Sequence, residues 1–442
     1  MEQYALLSDS SSDDDIELMG DILTQAKSLL VVAVEESRSR KGKKPNIDRL
    51  AQQGSLRLIA DYFSEQPLYS EEQFRRRFRM RRSLFIRIVN DVEAKNEYFT
   101  QKPNAAGKLG LTALQKCTAA IRQLAYGMPS DAIDEYVRIA ESTARQSMME
   151  FCQTILDLYA DQYLRSPNSA DMKRLLETGA SRGFPGMLGS LDCCHWEWKN
   201  CPTGWAGQYQ GKSKKPTIIL EAVASYDLWI WHAFFGIPGS NNDLNVLERS
   251  PLFNKLYSGK TPPVEFTINS RKYTTGYYLA DGIYPPLATL VKTISSPVDQ
   301  KRKHFAMMQE STRKDVERAF GVLMARFAIL KNPARLWNRD KLSQIMRSCI
   351  VLHNMIIEDQ RNIPEIEYDQ GGNAEVTVRM GGGEGFQAFL SKYCQVHSPV
   401  LHYQLQEDLV EHLWKKRENK AKRILECQLC FPTEKPVVRL HD

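Results

Sequence analysis

The feature that most limits the fold is a change of pattern near residue 185. From about 50 to 165, apolar residues recur at spacings of three and four. Leu114, Cys117, Ile121 and Leu124 form one such stripe, and Met148, Phe151, Cys152, Ile155, Leu156 and Tyr159 form another. That is the period of an amphipathic helix. After 185, short apolar, β-branched and aromatic runs take over at 187–191, 217–224, 229–236, 264–268 and 277–280, bounded by Gly, Pro, Asn and Asp. These runs read as strands. Helical patterns follow at about 286–294, 300–330 and 341–360. Strands followed by helices that cover them indicate an α/β domain with a mixed sheet.

Five segments result. Residues 1–48 read as a disordered tail, acidic at first and basic at its end. Residues 49–165 are helical, and 183–360 hold the α/β domain. A Gly-rich, acidic flexible loop covers 361–390, and a helical, basic tail covers 391–442. Within the helical region, Gly127-Met128-Pro129-Ser130 stops one helix and starts a short one, with Ser130 as its N-cap. A turn at 139–141 then leads into a long helix. This order matches a helix-turn-helix at about 111–152. It places Ser142, Thr143, Arg145 and Gln146 at the exposed start of the third helix, where contacts to base edges form. A plain helical bundle whose turn binds nothing has the same pattern.

The net charge of +6 on 442 residues says little about partners, but its distribution says more. Glu2, Asp9, Asp13, Asp14, Asp15 and Glu17 crowd the start, whereas Arg75, Arg76, Arg77, Arg79, Arg81, Arg82 and Arg87 form one dense cluster. The cluster fits a surface that meets a polyanion, or a solvated helix face. Arg38, Arg40, Lys41, Lys43 and Lys44 suit a nuclear-import signal or a basic loop. No apolar run approaches the roughly 18 residues that span a bilayer, so no membrane partner is expected. The nine cysteines form no framework, which fits an intracellular chain with reduced thiols. Cys427 and Cys430 make one CxxC with no second pair. Cys193, Cys194, His195 and Cys201 lack paired zinc-ligand spacing.

Three acids stand out. Asp192 follows the apolar run 187–191, and Asp281 follows 277–280, so both are expected at strand C-termini, where open α/β sheets place ligands. Glu317 lies on a helix beside the apolar stripe Val316, Phe320, Leu323 and Phe327, with Arg313 one turn earlier to steady it or a phosphate. Phosphodiester chemistry asks for such acids. Two hard divalent cations (Mg²⁺ or Mn²⁺) held by carboxylates activate the attacking oxygen and stabilise the leaving one. Taken singly, each acid fits a strand-end cap, a turn or a salt bridge equally well. Lys212, Lys214 and Lys215 are placed to contact backbone phosphates. His195, Trp196, Trp198, Trp205 and Tyr209 fit either core packing or stacking on a splayed base. His353 reads as a satisfied core histidine.

Several longer motifs occur in register across residues 50–360. GSLDCCHWEWKNCP (189–202), YQGKSKKP (209–216), LADGIYP (279–285), QESTRKDVERAFGVLMARF (309–327) and CIVLHNMIIED (349–359) resemble the plant-transposon branch of the PIF/Harbinger transposase superfamily. RRRFRMRRSLFIRIV (75–89) and LTALQKCTAAIRQLAYG (111–127) fit as well. The resemblance implies a ribonuclease H-like core with a DDE triad. Asp192 matches its first Asp, Asp281 its second and Glu317 its Glu. Asp243, in the stretch 239–245, matches a further family acid that contributes to the metal site, and an Asx-turn fits it equally well.

By the same resemblance the chain is a nuclear DNA transposase. It cuts at terminal inverted repeats and joins the freed 3′-OH to target DNA. It works as a homodimer, with a Myb/SANT-like partner protein from the same element that aids DNA binding and entry from the cytoplasm. The rivals are a domesticated nuclear protein that uses the fold without catalysis, and a plain nuclease.

Overall fold

The computed structural model describes residues 47–105, 107–258, 264–361, 377–378 and 386–430. The expected N-terminal tail and most of the Gly-rich loop lie outside these residues. Leu50–Asp442 forms one unit by its contacts, apart from Met1–Arg49. No described helix is long and apolar enough to cross a membrane.

The helical region comprises α1 (Ala51–Tyr62), α2 (Glu71–Phe78), α3 (Arg82–Lys95), α4 (Ala113–Tyr126), a 3₁₀ turn (Ser130–Ile133) running into α5 (Asp134–Val137), α6 (Glu141–Tyr163) and α7 (Ser169–Ser181). Local sequence sets these boundaries. Thr112 and Gln115 close a capping box on α4, and Gly127 ends it at φ 61°, a left-handed turn that suits glycine. Ser130 does not cap the next helix as expected. Its Oγ donates to Gln123 Oε1 at 2.8 Å, which staples the turn back onto α4. Part of the arginine cluster is engaged within the fold, whereas Arg75, Arg76 and Arg87 stay exposed. Arg81 Nε donates to Asp359 Oδ2 at 2.6 Å, Arg77 lies 3.9 Å over the Tyr69 ring, and Arg82 pairs with Glu71.

The strands in chain order are β1 (Met187–Glu197), β2 (Thr217–Ala224), β3 (Ile230–Pro238), β4 (Val264–Ile268), β5 (Arg271–Tyr273), β6 (Tyr277–Ala280), β7 (Leu290–Lys292) and β8 (Thr377–Val378). Five form a mixed sheet in the order β3-β2-β1-β6-β7. β1, β2 and β3 make an antiparallel meander, whereas β6 and β7 run parallel to β1. The rest of the chain adds α8 (Thr203–Tyr209), α9 (Asp243–Arg249), α10 (Asn254–Tyr257), α11 (Gln300–Arg313), α12 (Asp315–Arg326), α13 (Arg339–Arg361), α14 (Phe386–Val396) and α15 (Pro399–Cys430).

Helices cover both sheet faces. On one, Ile218, Leu220 and Ala222 share a core with Val316, Phe320 and Leu323 of α12 and with Phe85, Ile121 and Phe151 of the helical region. The expected helical and α/β domains therefore share one hydrophobic interior. The opposite face buries Leu191 and Val223 against Leu247, Phe253 and Tyr284. Helix α15 buries Leu405, Leu409 and Leu413 with Phe305 of α11, so its first half is packed against the domain and is no free tail.

Three expectations need correction. Residues 286–294 contain β7 in place of a helix, because pairing Tyr278 with Leu290 buries Leu290 and Val291 at the sheet edge. The helix expected at 300–330 breaks at Lys314 into α11 and α12, with a 3₁₀ turn at Ala328–Leu330. Asp192 sits inside an 11-residue strand and not at its end.

Helix α13 clips the outer strand. Asn354 Oδ1 accepts from Ile230 N at 3.0 Å, and its Nδ2 donates to Ile230 O at 2.8 Å and Tyr163 O at 2.9 Å. The amide thus stands in for a missing neighbour strand. His353, fully buried, meets Leu228 O through Nε2 at 2.9 Å, and burial drives its pKa down to about 3. Asn354→Leu leaves three buried backbone groups unpaired and is expected to cost roughly 2–4 kcal/mol in urea unfolding. A loss below about 0.5 kcal/mol would show that the clip is dispensable.

Candidate active site

Strand register builds the site. β1 and β6 run parallel, and their last paired residues are Ser190 and Leu279. Two residues beyond that pair come Asp192, still within β1, and Asp281, the first residue after β6. β6 ends at Ala280, so the acids lie where the ladder gives out. Further along, Ala334 N donates to Glu197 O, so the segment around 334 takes over that edge of β1. A stretch of β1 is left uncovered between the two. Gly189 lets β1 press onto β2 just before the acid, since a Cβ there would lie 2.8 Å from Ala224 O at φ +156°.

The third acid arrives by a helix break. α12 starts at Asp315, whose buried carboxylate accepts from Arg182 and, at 3.0 Å, from Arg318. That anchor fixes the first turn of α12 and with it Glu317. Arg313, the last residue of α11, bridges the gap. Its Nη1 donates to Asp192 Oδ2 at 3.3 Å and lies 3.1 Å from Glu317 Oε1.

Asp192 is strained electrostatically. Its Oδ1 accepts from Cys193 N at 2.8 Å, so the carboxylate satisfies a backbone donor just past the last β6 pair. Burial pushes its pKa up to about 6, and the charges of Glu317 and Asp243 add to the rise. The Cys193 bond and Arg313 pull the other way. Asp243 is the first residue of α9, behind the N-cap Asn242. Asp281 is exposed, and its Oδ1 accepts from Gly282 N at 2.6 Å.

The structure thus joins Asp192 to Glu317 through Arg313, sets Asp281 beside Asp192 by register, and couples Asp243 to Asp192 through its field. Among the described residues, no group of three or more His, Cys, Asp or Glu is gathered as a ready metal cage. The donor set is still all carboxylate, which suits a hard divalent cation. Asp192 also carries the uncompensated burial that such a cation would relieve.

The other expected residues are spread over different elements. Ser142, Arg145 and Gln146 are exposed at the start of α6, and Thr143 is half-buried. Lys212, Lys214 and Lys215 are exposed on the loop after α8, with Lys215 Nζ 3.1 Å from Glu197 Oε2. Arg313, held by two acids, is not free for a phosphate in this arrangement. Trp196, Trp198 and Tyr209 are buried, whereas His195 is exposed and Trp205 is half-exposed. Glu221 was missed. It is fully buried on β2, opposite Cys193, and accepts from Ser250 Oγ and, at 3.0 Å, from His232 Nε2. A lone acid inside the run TIILEAVA was the available signal.

Residues 161–364 match a family model described as plant transposon protein, and this stretch encloses Asp192, Asp243, Asp281 and Glu317. Over this stretch, somewhat under half of its length, the chain is similar to Harbinger/PIF-related transposases. Residues 54–93 match a second model, described as a domain of unknown function. Among curated proteins similar to this chain, the ALP1-like protein of Arabidopsis thaliana is 27% identical over 64% of this chain and 70% of its own length. Antagonist of like heterochromatin protein 1, also from Arabidopsis thaliana, is 23% identical over 78% of this chain and 85% of its own. HARBI1 of Homo sapiens, named as a candidate nuclease, is 24% identical over 45% of this chain and 54% of its own. No solved structure matches the chain significantly.

The raised pKa of Asp192 has a consequence for stability. An ordinary Asp titrates near 3.9, so the favourable protonated form contributes fully below about pH 4. That contribution is lost as pH rises through about 6. Without metal, Asp192→Asn should therefore be more stable than wild type at pH 7.5, by up to about 2–3 kcal/mol, with the gap closing near pH 4. Thermal melts across this range check it, and a less stable D192N at pH 7.5 refutes the strained-acid account.

Proposed function

We propose that this protein is a metal-dependent DNA nuclease and strand transferase of the PIF/Harbinger type, with a ribonuclease H-like core. One observation carries the reading. Arg313, at the break between α11 and α12, joins Asp192 to Glu317, and Asp281 directly follows β6, the strand parallel to β1, which supports a shared site. The mixed sheet flanked by helices supports the fold, and the transposon family match and the nuclease-named relative support the chemistry.

Asp192 and Asp281 would hold Mg²⁺ or Mn²⁺, Glu317 would complete the set, and Asp243 would add negative field. Bound divalent cations would activate the attacking oxygen and stabilise the leaving one. The chain's own groups do the rest. Arg313 releases Asp192 and Glu317 and becomes available to a phosphate oxygen. The exposed start of α6 and the lysines of the loop after α8 hold the DNA. The substrates are the terminal inverted repeats of an element and a target DNA. Dimerisation pairs two ends, a Myb/SANT-like partner assists, and the nucleus is the place of action.

Purified protein with Mg²⁺ or Mn²⁺ should nick DNA carrying the element's ends and join pre-cut 3′ ends to a target. Asp192→Ala, Asp281→Ala and Glu317→Ala should each lower the rate at least about a hundredfold, or ~2.7 kcal/mol of barrier. Cleavage without joined products would favour a plain nuclease.

A second reading has its own observation. Arg313 already pairs with both Asp192 and Glu317 and occupies the space between them, as a domesticated, non-catalytic chromatin protein would tolerate. One relative is named for antagonism of a heterochromatin protein. A cellular role unchanged by Asp192→Ala would decide for this reading.

A further inference from the structure

Two tryptophans are left on the surface away from the acids. Trp205 is 48% exposed and Trp337 is 68% exposed, and neither belongs to the hydrophobic core. Both line one open cleft of about 820 Å³. Trp205 is braced from behind. It stacks on Tyr209 at 6.4 Å and 26°, and Tyr209 meets the buried Trp198 edge-on at 5.0 Å. This aromatic ladder runs from the interior outward and holds the Trp205 ring in place. Trp337 stands just before α13, where Asn338 Oδ1 accepts from Asp340 N and Lys341 N and so fixes the chain beside it.

The cleft is also cationic. Arg249 and Arg339 line it. Arg249 makes no ion pair among the described residues. Arg339 lies 4.0 Å from Asp340, the one acid in the lining, whose side chain is 88% exposed. Lys212 and Lys214 lie on the loop that leaves α8, the helix of Trp205.

Exposed indole faces beside guanidinium groups suit a chain of flat rings joined by phosphates. Each base has a π-face to stack, and each phosphate a charge to meet. In a duplex the bases are already stacked on each other, so a cleft built around two indoles selects unpaired nucleotides. A proline-rich peptide would use the rings but not the arginines. Helix α9 links the cleft to the acids, with Asp243 as its first residue and Arg249 as its last. From Asp192 to Trp198 the backbone spans about 20 Å at ~3.3 Å per residue, the reach of a few nucleotides.

We propose that the Trp205–Trp337 cleft holds an unpaired stretch of the DNA strand flanking the cut. This inference deepens the DNA-cleavage reading and rests on it. Fluorescence anisotropy of the full chain in EDTA, with a labelled 12-nucleotide single strand, its duplex and the RNA of the same sequence, tests it. Trp337→Ala and Trp205→Ala should each weaken single-strand DNA binding by about 5-fold or more, as loss of one stacked base implies. Trp337→Phe should restore most of it, and duplex binding should change less than twofold.

Unchanged single-strand affinity in both alanine variants overturns the proposal. So does equal weakening for single strand and duplex, tighter binding of the RNA, or displacement of the strand by a proline-rich peptide. Asp192→Ala separates the two readings, because it should keep tryptophan-dependent binding. Such binding in a wild-type protein that never cleaves removes the nuclease reading alone. Cleavage with tryptophan-independent binding removes the cleft alone.

Discussion

Strand β1 is the constraint on which the rest depends. It pairs with β2 from Ser190 to Glu197, but with β6 only as far as Ser190. The strand is therefore held rigidly on one edge while its other edge opens at Asp192. A carboxylate at that opening is fixed by a continuous ladder, and it still reaches solvent. The same strand packs Trp196 into the core shared with the helical region, as does Trp198 just beyond its end, so the position of Asp192 is tied to the folding of both parts.

Burial around Asp192 favours packing over charge. The acid is raised to about 6 by desolvation, and one guanidinium offsets part of that cost. Arg313 also reaches Glu317, so a single cationic side chain holds two acids that the fold has pushed together. Such an arrangement stores electrostatic strain that a second positive charge would relieve. Asp315, buried two residues before Glu317 and satisfied by two arginines, shows the contrast. It is a structural acid with its charge matched, and it anchors the helix that carries Glu317.

Much of this was legible in the sequence. The β-branched runs marked β2, β4 and β6 closely, and the three acids appeared at the edges of apolar segments. What local pattern could not supply was long-range pairing. The 286–294 stretch looked helical by spacing, yet Leu290 and Val291 are drawn into the sheet by β6. Asp192 looked like a strand end because Cys193, Cys194 and His195 lack strand character, although β2 carries the strand on to Glu197. Ser130 looked like a cap until Gln123 was brought within reach. The arginine cluster looked like a surface, but Asp359 and Glu71 claim Arg81 and Arg82 through tertiary contacts. Trp205 could be grouped with its neighbours by sequence, but only the fold separates it from the buried Trp196 and Trp198.

The central claim is that the carboxylates around Asp192 form one cation-holding centre. Calorimetric titration of Mn²⁺ into the metal-free protein at pH 7 tests it most directly. The account predicts saturable binding that releases protons, as Asp192 loses its residual protonation, and that is abolished in Asp192→Asn and weakened in Glu317→Gln. Binding of equal strength in all three proteins, or none in the wild type, would contradict it.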